Sequence, residues 1–423
     1  MMIIIKHLKQ RIFYGWVVVL GGCILNFLSA GIWYYGFSVF FKPMVLEFGW
    51  SRAATAGAIS LARLEGGAEG AIIGWFIDRF GPRRLIIIGT IIAGIGFILL
   101  SRINSLAMFY LVFMGVLAVG FSMGFGPAAS TAVANWFVLK RGKALSLFTL
   151  GAAIGGTVVV PILAWFIEIW GWRTTSVIIG ISIWVIALPV ATLMRHKPEQ
   201  YGYLPDGMTE ESYGAMSFGE ESGGSIYPDN EFWAKEAILT TSFWLLVIAN
   251  SCRGFVQTSV VIHQVAYLTD VGISSQNAAW ALGLMTLMSV PGRLFFGWLG
   301  DIFEKRYLMV FLCVTQALGI YMLAHIKTIT DVWLFIAVYG ISYGGAIPVY
   351  FSMRADYFGR KAYATIGGLL ALFVMTIAAA GPVVVGWIFD VFKSYYFAFL
   401  ILAAINVVAA VVFAFAKPPV KAS

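Results

Sequence analysis

Long apolar runs recur twelve times along this chain, and no other feature narrows its fold as far. About 20 consecutive apolar residues cross the hydrocarbon core of a bilayer as a helix, and lipid admits only helices or closed barrels, which satisfy their own backbone polar groups. On that rule helices are expected near 12–41, 53–77, 84–101, 106–136, 143–168, 173–194, 240–269, 277–300, 307–325, 332–358, 363–389 and 395–416. Charged residues make up 11% of the chain, against about 25% in soluble domains. The expected fold class is therefore an all-α membrane protein. Cys23, Cys252 and Cys313 each stand alone in an apolar run, without disulfide or metal-ligand spacing. The first run is too long for a signal-peptide core and no early small-residue cleavage site follows it, so it is expected to be retained.

The basic residues orient the spans. One side collects Lys6, Lys9, Arg11, Arg79, Arg83, Arg84, Lys140, Arg141, Lys143, Arg195, Lys197, Lys235, Lys305, Arg306, Arg354, Arg360, Lys361, Lys417 and Lys421, whereas the other has only Lys42, Arg52, Arg102, Arg173, Lys327 and Lys393. Positive charge favours the cytoplasmic side, so a multi-pass plasma (inner) membrane protein with both termini cytoplasmic is expected. The net charge of +8 follows from topology and gives no reason to invoke nucleic acid. The main polar interruption, rich in Gly, Pro and acids, divides the chain into an expected N-terminal six-helix bundle (1–194), a cytoplasmic linker (195–238) and a C-terminal six-helix bundle (239–423).

The two halves echo each other. "GWFIDRFGPRR" after the second span returns as "GWLGDIFEKR" after the eighth, and "NWFVLKRGKA" after the fourth as "DYFGRKAYA" after the tenth. An even number of helices separates each pair, so the repeats are parallel about an axis along the membrane normal. Such repeats are typical of transporters that hold substrate near the midplane.

Gly74, Asp78, Arg79, Gly81 and Arg84 form a pattern, Gly-x-x-x-Asp-Arg-x-Gly-x-Arg-Arg, that resembles the loop motif of the major facilitator superfamily. "YGWVVVLGG", "FSVFFKPMVLEFGWSRA", "NWFVLKRGKALSL", "GWRTT" and "PEQYGYLPDG" resemble its monocarboxylate transporter and oxalate/formate antiporter branch, and the likeness spans nearly the whole chain. The resemblance implies the major facilitator fold, twelve helices in two pseudo-symmetric six-helix bundles, working as a monomer. It implies that Asp78, and its echo Asp301, contact the opposite half and help hold an outward-facing state; the alternative is that both only cap helix ends.

Five charged residues lie inside spans: Arg63, Glu65, Glu69, Arg253 and Arg293. Each costs roughly 2.5–3.5 kcal/mol at the bilayer centre on insertion scales, about 12–17 kcal/mol for five facing lipid. They are therefore expected to face protein or a water-filled cavity. Glu65 and Glu69 are four apart and share a helix face; burial and mutual repulsion both favour protonation of one of them, which suits a proton-coupled carrier. Arg63 falls on a different stripe with Gly67, Gly70 and Gly74, which favour close helix approach. Static ion pairing, above all with Arg253, is the alternative.

Arg293, in "MSVPGRLFFGW" on the eighth span, stands where the resemblance places a substrate-binding arginine. Its permanent charge and planar donor fork suit a carboxylate. The chain departs from the family at several places. Ser289 stands where animal monocarboxylate transporters carry a proton-accepting aspartate, Tyr35 where they carry a lysine, and the eleventh span lacks the second cation of the oxalate antiporter. This argues for one carboxylate on Arg293, with any proton handling moved to Glu65 or Glu69. Asn26, Tyr35, Gln257 and Tyr343 are further candidates for substrate contact, with His263 as a weaker one; each is equally consistent with an interhelical polar contact. The glycine-rich runs follow no strand and offer no Walker lysine, so no cofactor is expected and uphill transport would draw on a gradient. The expected function is a secondary carrier of small monocarboxylates such as lactate, pyruvate or formate, partnered by a proton and embedded in lipid. Anion exchange, export of another small organic solute, and a non-transporting membrane sensor are the alternatives; an enzyme is not expected, because no nucleophile–base pair or metal cluster is visible.

Overall fold

In the computed structural model the described residues are 13–137, 141–208, 232–300, 302–359 and 363–419. The side chains at 63, 65–72, 74–75, 78, 141–143, 146, 355 and 363–364 lie outside the description. The described chain is helical throughout: α1 Gly15–Phe48, α2 Arg52–Phe80, α3 Pro82–Leu100, α4 Leu106–Trp136, then a run Arg141–Leu193 that turns at Gly171 into α5 and α6. After the linker come α7 Thr241–Asp270, α8 Ser275–Leu299, α9 Lys305–Ala324, α10 Ile329–Phe358, α11 Tyr363–Phe392 and α12 Tyr396–Phe415.

Among the described residues, ten helical segments are long and apolar enough to cross a membrane. One of them, Leu147–Leu193, contains both α5 and α6, and α2 with its internal charges is not among the ten. The helices start where side chains satisfy free amides: Ser105 accepts from Met108 N, Thr240 from Phe243 N and Ser274 from Asn277 N. Gly171 ends α5 at φ 75° and ψ 162°, a region open essentially to glycine alone.

The first helix runs further than its apolar stretch, which stops at Phe41. It continues to Phe48, where Gly49 at φ 66° closes it and donates its N–H to Val45 O. The two charged residues beyond the apolar stretch have partners within the fold. Lys42 pairs with Asp270, and Glu47 accepts from Trp172 Nε1 at 2.5 Å. Within α1, Ser29–Tyr34 forms a π-helical turn, a local widening that recurs at functional positions.

The described packing forms two compact units. The first takes residues within Met1–Tyr34, Ala68–Gly155 and Arg173–Gly223; the second takes Tyr35–Gly67, Gly156–Trp172 and Gly224–Ser423. In the first, Asn26 on α1 donates from Nδ2 to Phe148 O on α5 at 3.0 Å. In the second, α8 and α10 pack through reciprocal notches: a Cβ on Gly292 would run into the Ile341 carbonyl, and one on Gly344 into that of Ser289. Glycine at both places lets the two backbones touch, which fixes the register of the helix that carries Arg293.

Candidate substrate site

Three of the expected site residues meet in the second unit. Tyr35 lies just beyond the π turn of α1 and is 5% exposed; Tyr343 on α10 is 3% exposed. Their hydroxyls are 2.9 Å apart, and Gln257 Nε2 on α7 donates to the Tyr343 hydroxyl at 3.2 Å. The π turn widens α1 immediately before Tyr35, and Ser38 Oγ donates back to Tyr35 O at 2.7 Å. A hydroxyl–hydroxyl–amide chain of this kind offers both donors and acceptors to a small polar solute.

Arg293 sits on α8 one turn after Ser289. It is half-buried, and its buried Nε has no hydrogen-bond partner among the described residues. A buried guanidinium nitrogen left unmatched is costly, so the position is suited to receive an acceptor from outside the protein. Ser289 is fully buried and its hydroxyl donates to Thr286 O at 2.6 Å.

Other expected residues are placed elsewhere. Asn26 is engaged with the Phe148 carbonyl in the first unit. Arg253 on α7 is 7% exposed; its Nε donates to Asn250 Oδ1 at 3.1 Å, and its Nη1 has no partner among the described residues. The side chains of Arg63, Glu65, Glu69 and Asp78, together with Gly74, lie outside the described residues, as does Asp301. Of the rest of the loop motif, Gly81 precedes α3 at φ 78° and Arg79 and Arg84 are exposed.

A second cluster gathers around His263, which the sequence offers only as a weak candidate. Where the α1–α2, α7–α8 and α11–α12 turns meet in the second unit, Asp270 accepts Lys42 Nζ at 2.7 Å and Arg52 Nη1 at 2.7 Å. Asp390 closes the start of α2 with both oxygens, accepting Arg52 N and Ala53 N at 3.0 Å each, which satisfies two free amides and sets a negative charge at the positive helix end. The Arg52 guanidinium lies 3.6 Å from the Phe389 ring centroid and donates to the Tyr395 hydroxyl at 2.6 Å. Tyr395 reaches His263 Nδ1 at 2.9 Å, and His263 Nε2 faces Pro382 O at 2.8 Å. Burial pushes the Tyr395 hydroxyl well above the usual phenol range, so it is a proton donor here. In sequence the cluster shows only as charges at span ends on the basic-poor side; partners as far apart as 343 residues carry no spacing to read.

The profile of the major facilitator superfamily matches residues 19–267 and 243–423. The chain belongs to this family. Monocarboxylate transporter 13 of Rattus norvegicus is 25% identical to it, over 92% of this chain and 86% of that protein. The oxalate:formate antiporter of Oxalobacter formigenes is 23% identical, over 83% and 78% respectively. A bacterial homologue of the human lysosomal transporter Spinster, solved inward-facing and unoccupied, superposes with a TM-score of 0.73 at 17% identity, covering 95% of this chain and 97% of that one. The protein is thus a multi-pass membrane transporter of the major facilitator superfamily, with the major facilitator fold, and not an enzyme.

Proposed function

We propose that this transporter carries small monocarboxylate anions of the lactate, pyruvate or formate kind by alternating access, driven by a proton. The observation that carries this reading is the buried Arg293 Nε, which lacks a partner among the described residues. Charge-assisted hydrogen bonds to a guanidinium are about twice as strong as neutral ones, so a single carboxylate meets the unmet donor directly. The hydroxyls of Tyr35 and Tyr343 and the amide of Gln257 supply contacts for a keto or hydroxyl oxygen. The relatives' names support the substrate class: one is a monocarboxylate transporter and another exchanges oxalate for formate. Glu65 and Glu69 take the proton role, with Arg63 and Arg253 as intramembrane charge partners, and Asp78 and Asp301 act in the loop motifs. Two six-helix halves, 1–194 and 239–423, joined by the 195–238 linker in a plasma-membrane monomer with both termini cytoplasmic, complete the reading.

The test is uptake of radiolabelled lactate, pyruvate and formate into proteoliposomes under an imposed inward proton gradient, with Arg293→Gln and Glu69→Gln beside the wild type. Uptake that follows the gradient and is lost in both variants is expected. Uptake that ignores the gradient but follows internal anion would make the protein an exchanger, and no carboxylate uptake by folded protein would remove the substrate assignment.

A further inference from the structure

We propose that His263 is a proton-operated release for the charged clasp that joins the starts and ends of α1, α2, α7, α11 and α12. The hydrogen-bond roles in the clasp are fully determined by what each atom is able to do. The Pro382 carbonyl only accepts, so His263 Nε2 carries a proton and donates to it at 2.8 Å. The Arg52 guanidinium only donates, so the Tyr395 oxygen accepts from Nη1 at 2.6 Å. The neutral imidazole then has one lone pair left, on Nδ1, and Tyr395 has one proton left to give. They meet at 2.9 Å. Every donor in the chain Arg52–Tyr395–His263–Pro382 has one acceptor, with no freedom to reverse.

A proton on Nδ1 breaks this arrangement. Nδ1 becomes a donor aimed at an oxygen that already accepts from Arg52, and the Tyr395 proton loses its only acceptor among the described residues. The imidazolium also adds a positive charge to a cluster that is balanced without it: Lys42 and Arg52 against Asp270 and Asp390. His263 itself is fully buried. The rings packed on it are Phe41 of α1, edge-on at 5.2 Å, and Tyr395, while Tyr267 of α7 packs edge-on against Tyr395 at 5.9 Å. No carboxylate accepts a hydrogen bond from the ring among the described residues; Asp390 and Arg52 act on it only through space, so a charged imidazole gains a directly bonded anion only if the clasp opens. Proton binding at His263 therefore favours opening of the clasp, and by linkage a low pH favours the open form. Lys42 of the clasp also lines a cavity of about 240 Å³, together with Ser38, Glu168, Thr269 and Ser275. None of this depends on which solute is carried or on the role of Glu65 and Glu69.

Ser38 is 4% exposed and lines that cavity, so it reports the opening. In full-length protein reconstituted in vesicles, with Cys23, Cys252 and Cys313 replaced by serine, Ser38→Cys would be titrated with a charged, water-soluble methanethiosulfonate between pH 8 and pH 5. Only the thiolate reacts and its fraction falls with pH, so each rate is divided by that of a free reference thiol at the same pH. In the otherwise wild-type chain this normalised rate is expected to rise about tenfold on acidification, the size that goes with losing one hydrogen bond to a charged group. His263→Gln, whose side chain keeps one neutral donor and one acceptor, is expected to stay slow at both pH values. Tyr395→Phe, which removes the shared oxygen, is expected to lose the pH response by another route and covers the case in which the histidine variant fails to fold. A normalised rate that still responds to pH in either folded variant, or a normalised wild-type rate that does not change with pH, would overturn the proposal. A response that follows Glu168→Gln in place of His263→Gln would also overturn it, by assigning the proton to the cavity wall.

Discussion

Gly386 on α11 offers a sharp test of the packing that holds the clasp. A Cβ built there would lie 2.7 Å from Ala53 N, 2.8 Å from Arg52 C and 2.9 Å from Ala53 Cα. Ordinary contact begins near 3.4 Å, so Gly386→Ala asks the start of α2 to retreat by about 0.7 Å (3.4 less 2.7). Asp390, one turn along α11, holds the same two residues through hydrogen bonds of 3.0 Å. The retreat would stretch these to about 3.7 Å, beyond hydrogen-bond reach. The helix has two ways to respond. It either keeps the contact and takes overpacking strain of about 1–3 kcal/mol, or gives up two charge-assisted bonds worth about 1.5–3 kcal/mol each. The cheaper response sets the cost, so about 1–3 kcal/mol is expected. Replacing a helical glycine by alanine also returns about 1 kcal/mol of helix propensity, and Gly297→Ala on α8 isolates that gain because its nearest neighbours are Pro348 Cβ and Cγ at 3.7 and 3.8 Å. Equilibrium unfolding in mixed micelles, followed by tryptophan fluorescence, should place Gly386→Ala about 1–3 kcal/mol below Gly297→Ala. Equal stabilities of the two variants would refute the close approach of α11 to α2.

Three further outcomes are expected. Asp390→Ala removes the acceptor for both Arg52 N and Ala53 N and should cost about 2 kcal/mol in the same unfolding measurement, with Asp390→Asn about half as harmful because one carbonyl oxygen remains. Gly171→Ala meets no neighbour within 4 Å, yet its φ of 75° and ψ of 162° should make it about 1–3 kcal/mol less stable; an unchanged midpoint would mean that the α5–α6 turn adjusts freely. Tyr343→Phe cuts the bonds to Tyr35 and Gln257 and should weaken apparent substrate affinity several-fold while changing stability by only about 1 kcal/mol; unaltered affinity would take the hydroxyl cluster out of the substrate site.

The helices were legible because lipid imposes a length and a polarity on every span, and a run such as Thr241–Asp270 meets both. The end of α1 was not. Its apolar run stops at Phe41, whereas Asp270 and Trp172, distant in sequence, give Lys42 and Glu47 partners that carry the helix on. Tyr35, Gln257 and Tyr343 are legible as polar residues within apolar spans, although their mutual hydrogen bonds are not. Asn26 looked equivalent on the same grounds, but its amide is taken by the Phe148 carbonyl, a contact that no sequence spacing announces. His263 looked marginal because its importance lies in what surrounds it. A histidine is ordinary until a carbonyl occupies one nitrogen and an arginine-bound tyrosine the other.

The central claim is that Arg293 holds the carboxylate of the carried solute. Equilibrium binding of radiolabelled pyruvate to the purified transporter, wild type against Arg293→Gln, tests it most directly. Loss of charge-assisted bonds worth about 1.5–3 kcal/mol corresponds to roughly 10- to 150-fold weaker binding, with Arg293→Lys in between because it keeps the charge but loses the fork. Wild-type affinity in a folded Arg293→Gln protein would contradict the account.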